Sequence, residues 1–360
     1  MKIAVLGGGN AAFAFAGHLA TIGHEIYLYE DKKFESSVKA IANAPLKIKE
    51  TFAGEVKLAY AGSDMAQVAK DAKVVVIPVP AFAQEAIFTE YIKYCEEGQT
   101  VIFFPGNYAA LRFHKVLKDH GMEGKVLLAE CDSIPYATRK SAPDEISIYG
   151  IKEFLFVAAL PASRNQEVID LWNKEVYGYE FFRDGVNVMY SSLNNTNCSI
   201  HCTGSVLNAG WIETKKGDFS FYGEGLSPAV CNVIEGVDLE AGNVSELFGK
   251  RAYTQKEFFM EYYNIPDFPT LYETIQASPA HTVSKAPQDL TARYVTEDVP
   301  FGLVPIATIS KSLGLQAPVC ESLITLASVL TGRDFMTEGI TPEKLGIDGM
   351  SAEEILKMIA

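Results

Sequence analysis

Lys2-Ile3-Ala4-Val5-Leu6-Gly7-Gly8-Gly9-Asn10-Ala11-Ala12 couples a short apolar run to a glycine turn. The run reads as a strand, Ala12 to Ile22 as an amphipathic helix, and Glu25 to Tyr29 as a second strand closed by Glu30. The turn fits G-x-G-x-x-A: Gly7 bends the chain, Gly9 lets a pyrophosphate approach the backbone, and Ala12 keeps the helix against its strand. Backbone N–H groups from Gly8 through Asn10 and Ala11 to Ala12 then face phosphate at a helix N-terminus. An acid at the end of the next strand, about 20 residues on, completes a dinucleotide-binding fingerprint. A carboxylate at Glu30 accepts from the ribose hydroxyls and repels the extra phosphate of NADP, so NAD is the expected cofactor. Lys32 and Lys33 follow at once and leave NADP open, although a solvated helix start explains them as well.

Outward from this unit, a helix is expected from Lys32 to Ala42, then a hairpin of Leu46 to Lys49 with Val56 to Tyr60, and a helix capped by Ser63. Val74 to Pro80 is a continuous apolar run, as a parallel strand covered on both faces requires. Helix Gln84 to Tyr94, strand Thr100 to Phe104, helix Tyr108 to His120 and strand Val126 to Glu130 continue the alternation, which implies a parallel sheet with right-handed crossovers. Pro80 and Asn107 fall on loops at the same sheet edge as Gly7 and are candidates for the nicotinamide end of the cofactor. A polar segment from Glu130 to Arg139 leaves that edge. Strands at Glu145 to Tyr149, Lys152 to Leu160 and Tyr179 to Phe182, with a helix from Arg164 to Val176, complete a first domain over residues 1–184.

Residues 185–360 read as an all-helical second domain, led by long segments Val188 to Ala209 and Ser227 to Leu247. A cleft between the two domains is the expected substrate site. The chain of 360 residues carries 45 acidic against 31 basic residues, a net charge of −14, which argues against nucleic acid or an anionic membrane as partner. No apolar run of about 18 residues is available to span a bilayer. The chain enters its first strand directly, and its six cysteines form no C-x-x-C pair, so a cytoplasmic protein with reduced thiols is expected.

Chemistry concentrates in Asn194-Asn195-Thr196-Asn197-Cys198-Ser199-Ile200-His201-Cys202. Asn197 and His201 are one helical turn apart, so an amide and an imidazole that titrates near neutrality project from one face. Cys198, His201 and Cys202 could also approach one metal ion, but no fourth ligand cluster accompanies them, and no metal is expected. A second polar cluster, Arg293 to Pro305, has two prolines that keep it irregular before a helix begins. Arg293 suits bidentate capture of a carboxylate, and Asp298 could accept from the second nitrogen of His201 and fix its tautomer.

Together, the glycine unit, Asn197-x-x-x-His201, Phe221-Tyr222-x-Glu224-Gly225 and Arg293-Tyr294-x-x-Glu297-Asp298-Val299-Pro300-x-Gly302-Leu303-Val304-Pro305 resemble the octopine/nopaline (opine) dehydrogenase family. That resemblance spans essentially the whole chain. It implies an α/β N-terminal Rossmann domain, doubly wound with a mostly parallel sheet, and an all-α C-terminal domain of the 6-phosphogluconate-dehydrogenase-like type. The implied activity is NAD(P)H-dependent reductive condensation of an α-keto acid, commonly pyruvate, with an L-amino acid. Carried over by position, His201 matches the catalytic histidine, Asp298 its acidic partner, Arg293 the carboxylate-binding arginine and Asn197 the neighbouring asparagine. Tyr136 and Cys131 match part of the amino-acid pocket. Glu213, Glu224 and Glu235 are the acids that a guanidinium substrate would call on. A hydroxyacid or ketopantoate-type dehydrogenase keeps the architecture but needs a lysine on the helix that holds Asn197, and Asn197 to Ala209 contains none. A dinucleotide sensor without catalysis would have a broken dyad. Monomer and homodimer are both compatible with these helix faces.

Overall fold

The computed structural model describes residues 1–360, the side chain of Ala280 excepted, and resolves into two compact units. One comprises Met1–Ser192 with Ile359 and Ala360, the other Leu193–Met358.

The first unit contains β1 (Lys2–Leu6), β2 (Glu25–Tyr29), β3 (Leu46–Glu50), β4 (Gly54–Val56), β5 (Tyr60–Gly62), β6 (Val74–Ile77) and β7 (Thr100–Phe103). It continues with β8 (Leu127–Cys131), β9 (Tyr136–Ala142), β10 (Glu145–Ile151), β11 (Leu155–Leu160) and β12 (Phe182–Asp184). An eight-stranded sheet runs in the order β12-β11-β8-β7-β6-β1-β2-β5. Only its β8–β11 pair is antiparallel. Ile3 to Leu6 and Val74 to Ile77 are wholly buried, which explains why these strands read as unbroken apolar runs. From β1 the chain first builds outward through β2 and β5, then returns to β6 on the other side. The crevice beyond the carboxyl ends of β1 and β6 is therefore the topological switch point of the sheet.

A separate four-stranded sheet, β4-β3-β10-β9, lies against the glycine-turn helix Asn10–Thr21. It corrects several expectations. The hairpin forms only between β3 and β4, while the end of the predicted partner run becomes β5 and pairs with β2. The polar stretch after Glu130 supplies β9, whose alternating exposure fits a strand with one open face. Lys32–Ser37 is a 3₁₀ turn followed by a short helix, Lys39–Asn43. Asp64 caps Met65–Ala69 by accepting from the Gln67 N–H, and the Ser63 hydroxyl donates instead to Glu35.

The long helix expected from Val188 to Ala209 is broken, and its first segment falls almost wholly in the first unit. Val188–Leu193, Asn197–Leu207 and Ala209–Lys215 are separate segments, because Asn194 and Asn195 turn their side-chain oxygens onto backbone N–H groups of Tyr253 and Asn197. Asn197–Leu207 is the central element, packed by Pro228–Glu246, Pro318–Thr331, Arg293–Thr296 and the π-helical turn Val299–Leu303. The segment expected to be irregular is therefore a series of helical turns, with Pro300 and Pro305 at their starts, where no intrahelical N–H is required. Among the described residues, no helix is long and apolar enough to cross a membrane.

Candidate active site and cofactor site

At the end of β1, Gly7 adopts φ +125° and donates its N–H to Tyr29 O at 2.7 Å. A Cβ on Gly7 would lie 2.4 Å from Val79 Cγ1, so the turn closes against the loop after β6 only with glycine there. Gly8 is buried over the Glu30 carboxylate, whereas a Cβ at Gly9 would meet no atom within 4 Å. Gly9 is the N-cap of Asn10–Thr21, no side chain caps its first turn, and no acid sits there. Ala11 is partly exposed in that turn, and Ala12 is wholly buried where the helix meets the strand. Open space beside uncapped amides fits a dinucleotide diphosphate.

Glu30 ends β2 almost buried and accepts from the Asp31 N–H at 2.8 Å and the Ser37 hydroxyl at 3.4 Å. Burial raises its carboxyl pKa above the usual range. Next to it Lys32, Lys33, Ser36, Lys39 and Gly62 line an open cavity of about 430 Å³. Pro80 caps the helix after β6, and Asn107 follows β7 with φ +51°, both on the edge that carries Gly7.

Sequence reasoning missed Lys140, on β9. Its backbone N–H donates to Asn10 Oδ1 at 2.9 Å, and its ammonium donates to Ser37 O at 3.0 Å and Gly8 O at 3.5 Å. The same ammonium stands 3.5 Å from the Phe13 ring centre. Nothing local marks residue 140 as a neighbour of residue 8; only the second sheet brings it there.

The second unit assembles the histidine cluster. Asn197 and His201 are partly open on a helix otherwise buried from Cys198 to Val206. Small residues make this packing close: a Cβ on Gly302 would come 2.3 Å from Cys198 Cβ, so glycine there lets the Asp298 segment approach the histidine helix. His201 Nδ1 is 2.8 Å from Asp298 Oδ2, with the two side chains 14% and 15% exposed. Because Asp298 accepts from Nδ1–H, Nε2 is the basic nitrogen, and the Tyr222 hydroxyl lies 3.1 Å from it. Tyr294 stacks on the imidazole with centroids 3.8 Å apart and planes 5° apart. Burial raises both tyrosines above their ordinary range. The sequence motif contained Tyr222 and Tyr294 but gave no sign of their contact with the histidine.

Arg293 lies one helical turn from Glu297, its guanidinium 3.5 Å from that carboxylate and 59% exposed, so a carboxylate can reach it. Cys131 and Tyr136 do not share this exposure. Cys131 is wholly buried in β8, and Tyr136 is held inside the first unit by His18 Nδ1 at 2.9 Å and the Tyr177 hydroxyl at 3.1 Å. The thiols of Cys198 and Cys202 face the carbonyls of Asn195 and Tyr294, and burial raises both thiol pKa values. Among the described residues, no group of three or more His, Cys, Asp or Glu is arranged to hold a metal. Glu213 is exposed, Glu224 accepts from the Ser220 N–H, and Glu235 joins Glu273 around a cavity of about 420 Å³.

Comparison with known proteins agrees with this architecture. Residues 185–331 match the α-helical domain of NAD/NADP octopine/nopaline dehydrogenases, and residues 2–106 match the N-terminus of NAD-dependent glycerol-3-phosphate dehydrogenase. An opine dehydrogenase from Arthrobacter sp. (strain 1C) is 31% identical over 98% of this chain and 97% of its own. Vitopine synthase of Allorhizobium ampelinum is 23% identical over 99% of this chain and 98% of its own. The octopine dehydrogenase structure in complex with NADH and agmatine has the same fold, with a TM-score of 0.76 at 20% identity over 99% of this chain and 98% of that one. The chain belongs to the octopine/nopaline (opine) dehydrogenase family and is an NAD(P)-dependent oxidoreductase.

Proposed function

We propose that this enzyme condenses an α-keto acid, pyruvate in the first instance, with the amino group of an L-amino acid and reduces the resulting imine. The observation that carries the reading is the 2.8 Å contact between His201 Nδ1 and Asp298, on the same partly open face as Asn197. Octopine dehydrogenase structures containing pyruvate or L-arginine supply the substrate classes. Arg293 binds the keto acid carboxylate, and Asn197 hydrogen-bonds the substrate beside the histidine. His201 donates its Nε2 proton to the departing hydroxyl of the carbinolamine, water leaves, and the imine forms. Asp298 holds the imidazole tautomer and stabilises the imidazolium. A bound nicotinamide supplies the hydride that reduces the imine carbon. At the glycine turn, uncapped amides hold the diphosphate and Glu30 holds the ribose, which favours NADH over NADPH.

The test is NADH oxidation at neutral pH with pyruvate, in parallel with each of the twenty amino acids and with none, repeated with NADPH. Oxidation that requires an amino acid and yields a secondary-amine dicarboxylate by mass supports the reading and names the amine. Oxidation with pyruvate alone replaces it with a hydroxyacid dehydrogenase.

A further inference from the structure

The loop that leaves β7 carries Asn107 on the carboxyl edge of the large sheet. With the adenosine ribose held by Glu30 at the end of β2, the nicotinamide end falls to the other side of the switch point, beyond β6 and β7. Asn107 and Tyr108 are both left-handed, at φ +51° and +61°. Two successive residues with side chains hold that conformation only where their surroundings impose it.

What imposes it comes from distant parts of the chain. Glu130, near the end of β8, is wholly buried against this loop. A Cβ on Gly106 would lie 2.6 Å from Glu130 Cβ, so the loop passes directly over the stem of that side chain. One carboxylate oxygen accepts from the Ala110 N–H at 2.9 Å, satisfying a donor in the first turn of helix Ala109–Asp119, whose N-cap residue Tyr108 makes no capping bond. The other oxygen accepts from the Ser192 hydroxyl. A serine has one hydroxyl proton, and here Glu130 takes it. The Ser192 oxygen is left to accept, and it receives the Tyr108 N–H at 2.5 Å. Glu130, Ser192 and Tyr108 thus form one chain of bonds, which ends on the peptide group joining Asn107 to Tyr108. On the near side of the loop, the Gly106 N–H donates to Cys131 O at 2.8 Å and the Gln84 amide to Pro105 O at 2.9 Å.

We propose that Glu130 and Ser192 are positioning residues for the nicotinamide end of the cofactor, fixing the Asn107–Tyr108 peptide so that Asn107 is presented to the nicotinamide. The proposal rests on Asn107 being a nicotinamide contact. Glu130 and Ser192 act through the loop and touch no reacting atom. The diphosphate and the adenosine ribose are held elsewhere, at the glycine turn and Glu30. Loosening the pair therefore weakens one end of the cofactor and spares the other.

The experiment titrates NADH and ADP-ribose calorimetrically into wild type, Asn107→Ala, Ser192→Ala, Glu130→Met and the Glu130→Met, Ser192→Ala double variant. ADP-ribose keeps the diphosphate and both riboses but lacks the nicotinamide. Each single variant should weaken NADH by about 5- to 10-fold, the worth of one hydrogen-bonded contact, and ADP-ribose by less than about twofold. The double variant should shift the ratio of the two affinities no further than either single change, because both cut the same chain. Equal weakening of the two ligands in Ser192→Ala, or no weakening of either, overturns the proposal: a network that only stabilises the fold does not distinguish them. If Glu130→Met fails to fold, Ser192→Ala, which deletes a single oxygen, decides alone. If Asn107→Ala shifts the ratio and Ser192→Ala does not, the positioning role alone fails; if Asn107→Ala leaves the ratio unchanged, the reading of Asn107 beneath it fails too.

Discussion

The Nδ1 nitrogen of His201 stands 2.8 Å from the Asp298 carboxylate, across 97 positions of sequence. A carboxylate there accepts only, so it selects the tautomer whose Nε2 is basic and steadies the imidazolium when a proton arrives. His201→Ala should lower kcat by about two to four orders of magnitude and leave NADH affinity alone. Asp298→Asn should fall in the same range, because an amide can donate to Nδ1 and trap the opposite tautomer. Steady-state kinetics together with a direct NADH titration check both, and full turnover in either variant would remove the dyad from the mechanism.

Arg293 presents a mostly exposed guanidinium, with Glu297 as a neighbour 3.5 Å away. If it captures the keto acid carboxylate, Arg293→Ala should raise the apparent KM for pyruvate by about 10- to 100-fold, the worth of a charged hydrogen-bonded pair. Arg293→Lys should recover only part of this, since an ammonium lacks the two-pronged geometry of the guanidinium. An unchanged KM would rule out the clamp.

These two sites differ in how far the chain announced them. Gly7, Gly9, Ala12 and Glu30 belong to one local strand-turn-helix-strand unit, so spacing alone specified their geometry. Asn197 and His201 were legible for the same reason: one helical turn separates them. Lys140 was not, because its position over Gly8 depends on the second sheet, which brings β9 to the glycine-turn helix from 130 positions away. Tyr136 shows the reverse error. Its place in the polar segment after Glu130 matched a substrate pocket, but strand pairing turned it inward to meet His18. The break after Leu193 was hidden as well, since Asn194 and Asn195 fit a helix by periodicity and leave it only because their side chains find backbone donors.

Lys140 places a positive charge beside Glu30 at the candidate cofactor site. Its ammonium is half-buried, with its pKa lowered by desolvation and partly restored by the Glu30 carboxylate. If Glu30 holds the ribose as proposed, removing Lys140 leaves that carboxylate unopposed, and an added 2′-phosphate then meets net negative charge. Lys140→Met should therefore weaken NADPH by about tenfold more than NADH, a Coulombic difference of roughly 1.4 kcal/mol. Lys140→Arg should stay near wild type. Fluorescence titration of both cofactors reads the ratio, and equal weakening of the two would reduce Lys140 to a brace for the turn.

Gly302 tests whether close packing places the dyad. A methyl group there would press on Cys198 Cβ at 2.3 Å, so Gly302→Ala should cost about 1 to 3 kcal/mol of stability through overpacking. Turnover should drop with it, because the strain falls on the segment that carries Asp298. Urea denaturation supplies the first number, and an unshifted midpoint would mean that the helices separate without cost.

Glu130 predicts how the first unit responds to pH. It is fully buried, accepts from the Ala110 N–H at 2.9 Å and from the Ser192 hydroxyl, and burial raises its pKa from 4.5 to about 7. A raised carboxyl means that the folded chain holds the proton more tightly than the unfolded chain. The stability linked to that proton is complete below about pH 4.5 and is lost as pH rises through about 7. Over that window the loss is on the order of 3 kcal/mol, since each tenfold difference in proton affinity is worth about 1.4 kcal/mol. Asp238 in the second unit, also raised to about 7 by burial, has the same sign. Glu130→Gln keeps an oxygen for the Ala110 N–H and has nothing to ionise. Its stability relative to wild type should therefore rise steadily between pH 4.5 and pH 7 and level off above. Denaturant midpoints of the two proteins across that range decide the matter: parallel curves would place the Glu130 proton outside the folding equilibrium.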